Sequence, residues 1–173
     1  TKDKLVSSEV RSPLESLMSD KMSEWLEENP GDAKSIIQKV IDAAAALLET
    51  PFVHQGRIPG VALDCAGVIV AVAAALGVEH DDVAGYPRLP SNGVLRCALD
   101  RQPGLIAVRN DAIAPGDILL MRFKREPQHL GIYTGKTIIH AWHIIGKVCE
   151  HDFDEDWHRR LVVAYRFNGV ANG

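Results

Sequence analysis

Asp64-Cys65-Ala66-Gly67 sets a thiol at the head of an apolar stretch that runs to Leu76 and stops at Gly77. With Asp64 as cap, the stretch reads as a helix, and Cys65 falls in its first turn. Unpaired backbone N–H groups and the helix dipole favour negative charge there, so the pKa of the thiol is expected to fall and the sulphur to act as a nucleophile. Ala66 and Gly67 are small enough to let the helix end lie close against another backbone. Taken alone, however, a free cysteine is more often a small buried apolar residue. That plainer reading holds for Cys97 and Cys149, which have no comparable setting.

A nucleophilic thiol needs a base. Gln128-His129-Leu130-Gly131-Ile132-Tyr133 reads as a strand entered from a polar loop, and Gly135-Lys136 fits a two-residue type II′ turn. That turn pairs residue 134 with 137, 131 with 140 and 129 with 142, which puts His129, Gly131 and His140 on one face. The histidines are then diagonal neighbours, with room beside them at Gly131. A catalytic base and the polar group that orients its second nitrogen need this arrangement. A slip of one residue would separate the two rings, and His143 is the alternative orienter. Two ordinary half-exposed strand histidines are the plain alternative. A metal reading from His140, His143, Cys149 and His151 matches no zinc spacing, so no metal is expected.

Several elements must position these groups. Ser12-Pro13-Leu14-Glu15 is a capping box, followed by Leu14, Leu17, Met18, Met22, Trp25 and Leu26 at helical spacing. Asn29-Pro30-Gly31-Asp32 ends that helix and starts a second, with Asn29 as cap and an apolar stripe from Ala33 through Ile36, Val40 and Ala44 to Leu48. Thr50-Pro51 closes it. Phe52–Leu63 is a loop punctuated by Gly and Pro, and one more helix is expected after Ser91. Beyond Pro115-Gly116-Asp117 the period becomes that of strands, over Ile118–Phe123, Leu130–Tyr133, Thr137–Ala141, Lys147–Glu150 and Leu161–Phe167. Helices first and consecutive short strands later predict an α+β fold, with helices packed on a small antiparallel sheet and an N-terminal helical hairpin.

The 173 residues, 46% apolar and 24% charged, suit one globular domain with a small appendage. A net charge of −4 excludes the basic field of a nucleic-acid binder. No apolar run approaches the ~20 residues that cross a bilayer, so no membrane partner is expected. Three cysteines at irregular spacing leave at least one thiol free. The N-terminus has neither an initiator Met nor a signal-peptide pattern, which points to a trimmed end and to synthesis in the cytoplasm.

Residues from about 47 to 167 resemble the NlpC family of cell-wall cysteine peptidases, and within it the phage branch. The resemblance is carried in order by Thr50-Pro51-Phe52, His54-Gln55-Gly56-Arg57, Leu63-Asp64-Cys65-Ala66-Gly67, Pro115-Gly116-Asp117, Gln128-His129-Leu130-Gly131-Ile132, Ile139-His140-Ala141 and Ala164-Tyr165-Arg166-Phe167. It implies a papain-like fold without a metal or other cofactor, and Cys65, His129 and His140 as a catalytic triad. It also implies hydrolysis of the D-glutamyl–diamino acid bond of peptidoglycan stem peptides. A phage tail, with its other proteins as partners and the periplasm or cell wall as the place of action, is the setting it suggests. Ala66 stands where the family commonly has Ser. Two other readings stay open: an idle structural component of a tail, and an acyl transferase or amidase using the same thiol.

The loop before the nucleophilic helix supplies the candidate substrate contacts His54, Gln55 and Arg57. Arg57 could bind a carboxylate bidentately. Gln55 could donate to the tetrahedral oxyanion together with the Cys65 backbone N–H. A solvated arginine and a plain polar loop are the bland alternatives, and Asp64 reads as a cap rather than an acid.

The first 46 or so residues resemble DNA gyrase B instead. Thr1-Lys2-Asp3-Lys4-Leu5-Val6-Ser7-Ser8-Glu9-Val10, Glu27-Glu28-Asn29-Pro30-Gly31-Asp32-Ala33-Lys34 and Ile41-Asp42-Ala43-Ala44 carry that likeness. The lysine matching Lys2 contacts the ATP γ-phosphate in that family, but the nucleotide pocket is absent here, so no ATPase or topoisomerase activity is expected. The chain thus reads as a chimera: a helical appendage over residues 1–35 and a peptidase domain over residues 36–173.

Overall fold

A computed structural model describes Glu24, Glu27, Glu28 and residues 30–170. The capping box at Ser12, the apolar spacing from Leu14 to Leu26, the Asn29 cap and the side chain of Ala33 lie outside the described residues. Helix α1 spans Pro30–Ala45 with Asp32 in its first turn. It ends earlier than the stripe suggests, because Leu47 N–H and Leu48 N–H reach back three residues rather than four and tighten the chain. Val40, Ala44 and Leu47 are buried all the same.

A two-stranded ribbon, β1 (Arg57–Ile58) with β2 (Ala62–Leu63), leads into α2 (Cys65–Ala75). Asp64 caps α2 by accepting from Gly67 N–H, as expected. Helix α3 (Val94–Asp100) follows, then β3 (Leu105–Val108), β4 (Ile118–Phe123), β5 (Glu126–Tyr133), β6 (Thr137–Trp142) and β7 (Lys147–Asp152). The one-turn helix α4 (Glu155–His158) precedes β8 (Leu161–Phe167). The six longer strands form one antiparallel sheet in the order β3-β8-β4-β5-β6-β7.

Alternation along the strands divides the apolar residues between the two faces of this sheet. Ile118, Leu120, Leu130, Ile132, Ile139, Ala141 and Val148 join Val68, Ile69 and Val72 of α2 in the main core. Leu119, Met121, Ile138 and Ala164 face the other way and pack with Phe153 and Trp157. The fully buried Asp117 takes both Nε and Nη2 of Arg166, at 2.7 and 2.8 Å, which ties the turn before β4 to β8. The architecture is therefore α+β, helices on an antiparallel sheet.

Candidate active site

The β5–β6 hairpin has the register expected from its turn: Ile132 pairs with Ile139 and Tyr133 with Ile138. Thr134 N–H donates to the Thr137 carbonyl at 3.0 Å, and Gly135 takes the positive φ of +103° that the turn demands. His129 and His140 accordingly share a face, both buried, with His129 Nε2 at 2.5 Å from His140 Nδ1. Gly131 sits between them for a steric reason. A Cβ there would lie 2.5 Å from Ile138 Cδ1 and 3.2 Å from His140 Cβ. The space expected beside the histidines is thus already filled by Ile138.

Cys65, at the head of α2, packs against the main core and reaches β5 from that side of the sheet. Its sulphur meets the backbone N–H of Leu130, the residue next to His129. The β5–β6 pairing stops at Ile132, short of the expected 131–140 and 129–142 pairs, and a bulge between Met121 and Arg122 breaks the β4–β5 register beside His129. The helix end lies tight against the preceding loop because Gly67 has no side chain: a Cβ at that position would collide with the Gly56 carbonyl.

The acidity of the thiol differs from the expectation. Although the residue as a whole is only partly covered, burial of the sulphur pushes the thiol up to about 12, and the Asp64 carboxylate adds to the rise. Backbone N–H groups of Leu130, Ala66 and Cys65 itself pull the other way without prevailing. The magnitudes explain the outcome: a helix end contributes about 0.3–2 kcal/mol, while burial of an ionisable group can shift it by up to ~3–5 pKa units. Burial also lowers both imidazoles, His129 to about 3 and His140 to about 2. For His129 the positive fields of His143, His151 and Arg160 add to the fall. The resting site therefore holds a neutral thiol and two neutral imidazoles.

Asp64 organises the cleft wall and is almost wholly buried. It accepts from Gly67 N–H and Gln55 N–H, each at 2.8 Å, from Arg57 Nη1 at 3.0 Å and from the Tyr86 hydroxyl at 2.6 Å. Arg57 is committed on every side, with Nε to Asp82 at 3.0 Å and Nη2 to Tyr86 at 2.7 Å. Its fork is not presented to a carboxylate from outside. Gln55 donates from Nε2 to the Tyr86 carbonyl at 3.1 Å, a contact that turns its amide to the loop rather than to an oxyanion. His54 Nε2 lies 3.1 Å from the same carbonyl. His54, Arg57, Asp64, Cys65, Tyr86, Gln128 and Leu130 line one apolar-floored cleft.

His143 is exposed at the β6–β7 turn with its ring 6.1 Å from Phe52, although its field reaches His129. His140 turns instead to His151, with Nε2 to Nε2 at 2.8 Å. Tyr86 is a lining residue that sequence reasoning misses, and His151, weighed there only as a metal ligand, is found beside His140 instead. Tyr86 joins from a loop with no periodicity. His151 has a signal: a turn closed by Gly146 sets Cys149 opposite His140 and His151 diagonal to it. Among the described residues no three His, Cys, Asp or Glu side chains converge as metal ligands.

The NlpC/P60 family profile matches residues 49–166, and the DNA gyrase B profile matches residues 1–50. DNA gyrase B of Caulobacter vibrioides is 36% identical over 102 residues, covering 53% of this chain and 13% of that protein. The Rickettsia bellii protein of the same name is 39% identical over 95 residues, covering 49% and 12%. The chain thus spans about an eighth of the length of these curated relatives. Among solved structures, an NLP/P60 family protein similar to lipoprotein from Staphylococcus aureus gives a TM-score of 0.53 at 20% identity, over 79% of this chain and 42% of that one. The NlpC/p60 domain of peptidoglycan hydrolase SagA gives 0.51 at 21%, over 79% and 98%. The peptidoglycan hydrolase RipB from Mycobacterium tuberculosis gives 0.52 at 17%, over 82% and 68%. At these identities the likeness is one of fold.

Proposed function

Since this chain belongs to the NlpC/P60 family, we propose that it is a thiol-dependent hydrolase that cuts peptidoglycan stem peptides at the D-glutamyl–diamino acid amide. The observation that carries this reading is the hydrogen bond between His129 and His140, set one residue from the backbone amide that meets the Cys65 sulphur. Two proteins of the same fold are named peptidoglycan hydrolases, which supports the substrate class.

In this scheme Cys65 Sγ attacks the amide carbonyl carbon as the thiol proton passes to His129. Nε2 of His129 is engaged by His140, so Nδ1 is the nitrogen that exchanges the proton. The C–N bond breaks as His129 returns the proton to the leaving amine, leaving a thioester on Cys65. Water, deprotonated by His129, hydrolyses the thioester and regenerates the thiol. His140 fixes the plane of the base and stabilises its transient charge, and the Cys65 backbone N–H is a donor to the oxyanion. Because the resting pair is neutral, proton transfer accompanies attack rather than preceding it. His54 and Arg57 act as cleft wall, with Gln55 and Tyr86 holding the loop in place. We place the peptidase domain at residues 36–173, an appendage at residues 1–35, and the site of action in a cell wall reached by a phage tail.

The test is incubation with defined muropeptides and mass spectrometry of the products. The reading expects a new free D-glutamyl carboxyl group and a free diamino acid amine. Intact peptides would favour an idle structural component, and a product acylated on an added amine would make the protein a transferase.

A further inference from the structure

We propose that His151 decides which nitrogen of His129 carries the proton, as the far anchor of a relay of three imidazoles. The inference deepens the reading of His129 as base and rests on it. His140 on β6 pairs with Cys149 on β7, so His151 lies diagonal to it on one side, while His129 meets its Nδ1 at 2.5 Å on the other. Ring centroids are 4.8 Å apart in both pairs. His151 Nδ1 ends the chain at 2.8 Å from the Asp152 carbonyl oxygen.

That carbonyl has no proton to give, and this fixes everything upstream of it. His151 Nδ1 must donate, so in the neutral ring Nε2 accepts. His140 Nε2–H therefore donates to His151, which leaves His140 Nδ1 as an acceptor. His129 must then donate from Nε2–H, and its Nδ1 keeps the lone pair that a thiol proton needs. A second set of contacts holds the ring planes. Trp157 packs against all three histidines, at 6.4, 5.2 and 4.8 Å from His129, His140 and His151. Trp142 stacks on His140 at 5.5 Å and lies 5.7 Å from His151.

Protonating His151 reverses the relay. Both of its nitrogens then donate, His140 must accept at Nε2 and donate from Nδ1, and His129 is left with its proton on Nδ1, where it cannot take another. The titratable and charged groups about His151 are His140 and His129 along the relay, Glu150 and Asp152 on either side in β7, and Arg160, whose guanidinium lies 5.5 Å from the Trp157 ring centroid.

Long-range proton–nitrogen NMR on the full chain with nitrogen-15 histidine rings reads each tautomer directly, without substrate. At neutral pH the wild-type protein should show His129 and His140 protonated at Nε2 and His151 at Nδ1. His151→Phe keeps a ring between the tryptophans but offers no acceptor, and should give mixed tautomers at His129. Its kcat should fall about 10–100-fold with little change in KM, the scale seen when an outer partner of a functional imidazole is lost. His151→Gln, whose side-chain oxygen can accept where Nε2 did, should restore the wild-type pattern. A wild-type His129 protonated at Nδ1, or an unchanged His129 tautomer in His151→Phe, would overturn the proposal; the first needs no variant to fold. A protein with the expected tautomers that cuts no peptidoglycan would sink the functional reading instead and leave the relay standing.

Discussion

Replacing Asp64 by Asn should move two properties in opposite directions. The carboxylate accepts four hydrogen bonds and is 3% exposed. Asn can keep the Gly67 cap, since it serves that position as well as Asp does. The Tyr86 hydroxyl can rotate to accept from the new amide. Gln55 N–H cannot adapt, because it is a donor facing a donor, and leaving it unmatched costs about 1–3 kcal/mol. Arg57 loses one charged partner. Breaking a fully buried pair costs about 3–5 kcal/mol, but Arg57 retains Asp82 and is partly solvated, so about 1 kcal/mol is the appropriate share here. The sum, about 2–4 kcal/mol, corresponds to a fall in Tm of roughly 5–15 °C. The same change removes the carboxylate that raises the Cys65 thiol, so the thiol should become more acidic. Iodoacetamide labelling against pH, read peptide by peptide, gives the midpoint, and thermal denaturation gives Tm. In the wild type, exposed Cys97 should label first at neutral pH, and the Cys65 midpoint should lie well above the ~8.5 of a free cysteine. A less stable variant whose Cys65 midpoint stays put or rises would refute the assignment of the thiol's acidity to burial and Asp64.

The buried histidines set the acid limb of stability. Their folded pKa values lie below the ordinary 6.5, so the unfolded chain binds protons first, and stability present above pH ~6.5 is lost as pH falls toward 3. Two such groups give a slope of up to about 2.7 kcal/mol per pH unit, and denaturant titrations of His140→Gln should show about half of it. His140→Ala should lower turnover about 10²–10⁴-fold, as loss of a triad orienter does, with His140→Gln or His140→Asn retaining measurable activity. His143→Ala, by contrast, should leave kcat within about twofold, since that ring is exposed and packs on Phe52; a large loss there would move the orienting role to His143. Deleting residues 1–30 should preserve turnover per folded molecule, because α1 from Ile36 onward supplies the core contacts; a folded but inactive truncation would contradict that.

Local chemistry made much of the site legible. Asp64 before an apolar stretch fixed the start of α2, and Gly135 after Thr134 pointed to the observed β5–β6 register. Strands β4 and β8 announce themselves as six- and seven-residue stretches rich in branched and aromatic residues, at Ile118–Phe123 and Leu161–Phe167. Strand β3 does not, because Leu105-Ile106-Ala107-Val108 is a short apolar run with no period of its own and becomes a strand only by pairing with β8. The β1–β2 ribbon and α4 are likewise too short to leave a pattern. The contacts of Arg57 lie 25 and 29 residues along the chain, in a loop whose path only the tertiary fold determines. The acidity of Cys65 departs from expectation for a related reason: the helix terminus is visible in sequence, whereas the depth of the sulphur is not.

The central claim is that the Cys65 thiol cuts a stem-peptide amide. Its most direct test is the steady-state rate on one soluble stem peptide for wild type, Cys65→Ala and Cys65→Ser, each normalised to folded protein by near-ultraviolet circular dichroism. The wild type should release the diamino acid amine, and both variants should fall by at least about 10³-fold, as loss of a nucleophile requires. Cleavage by Cys65→Ala within tenfold of the wild-type rate, or a folded wild type that leaves the peptide intact, would contradict it.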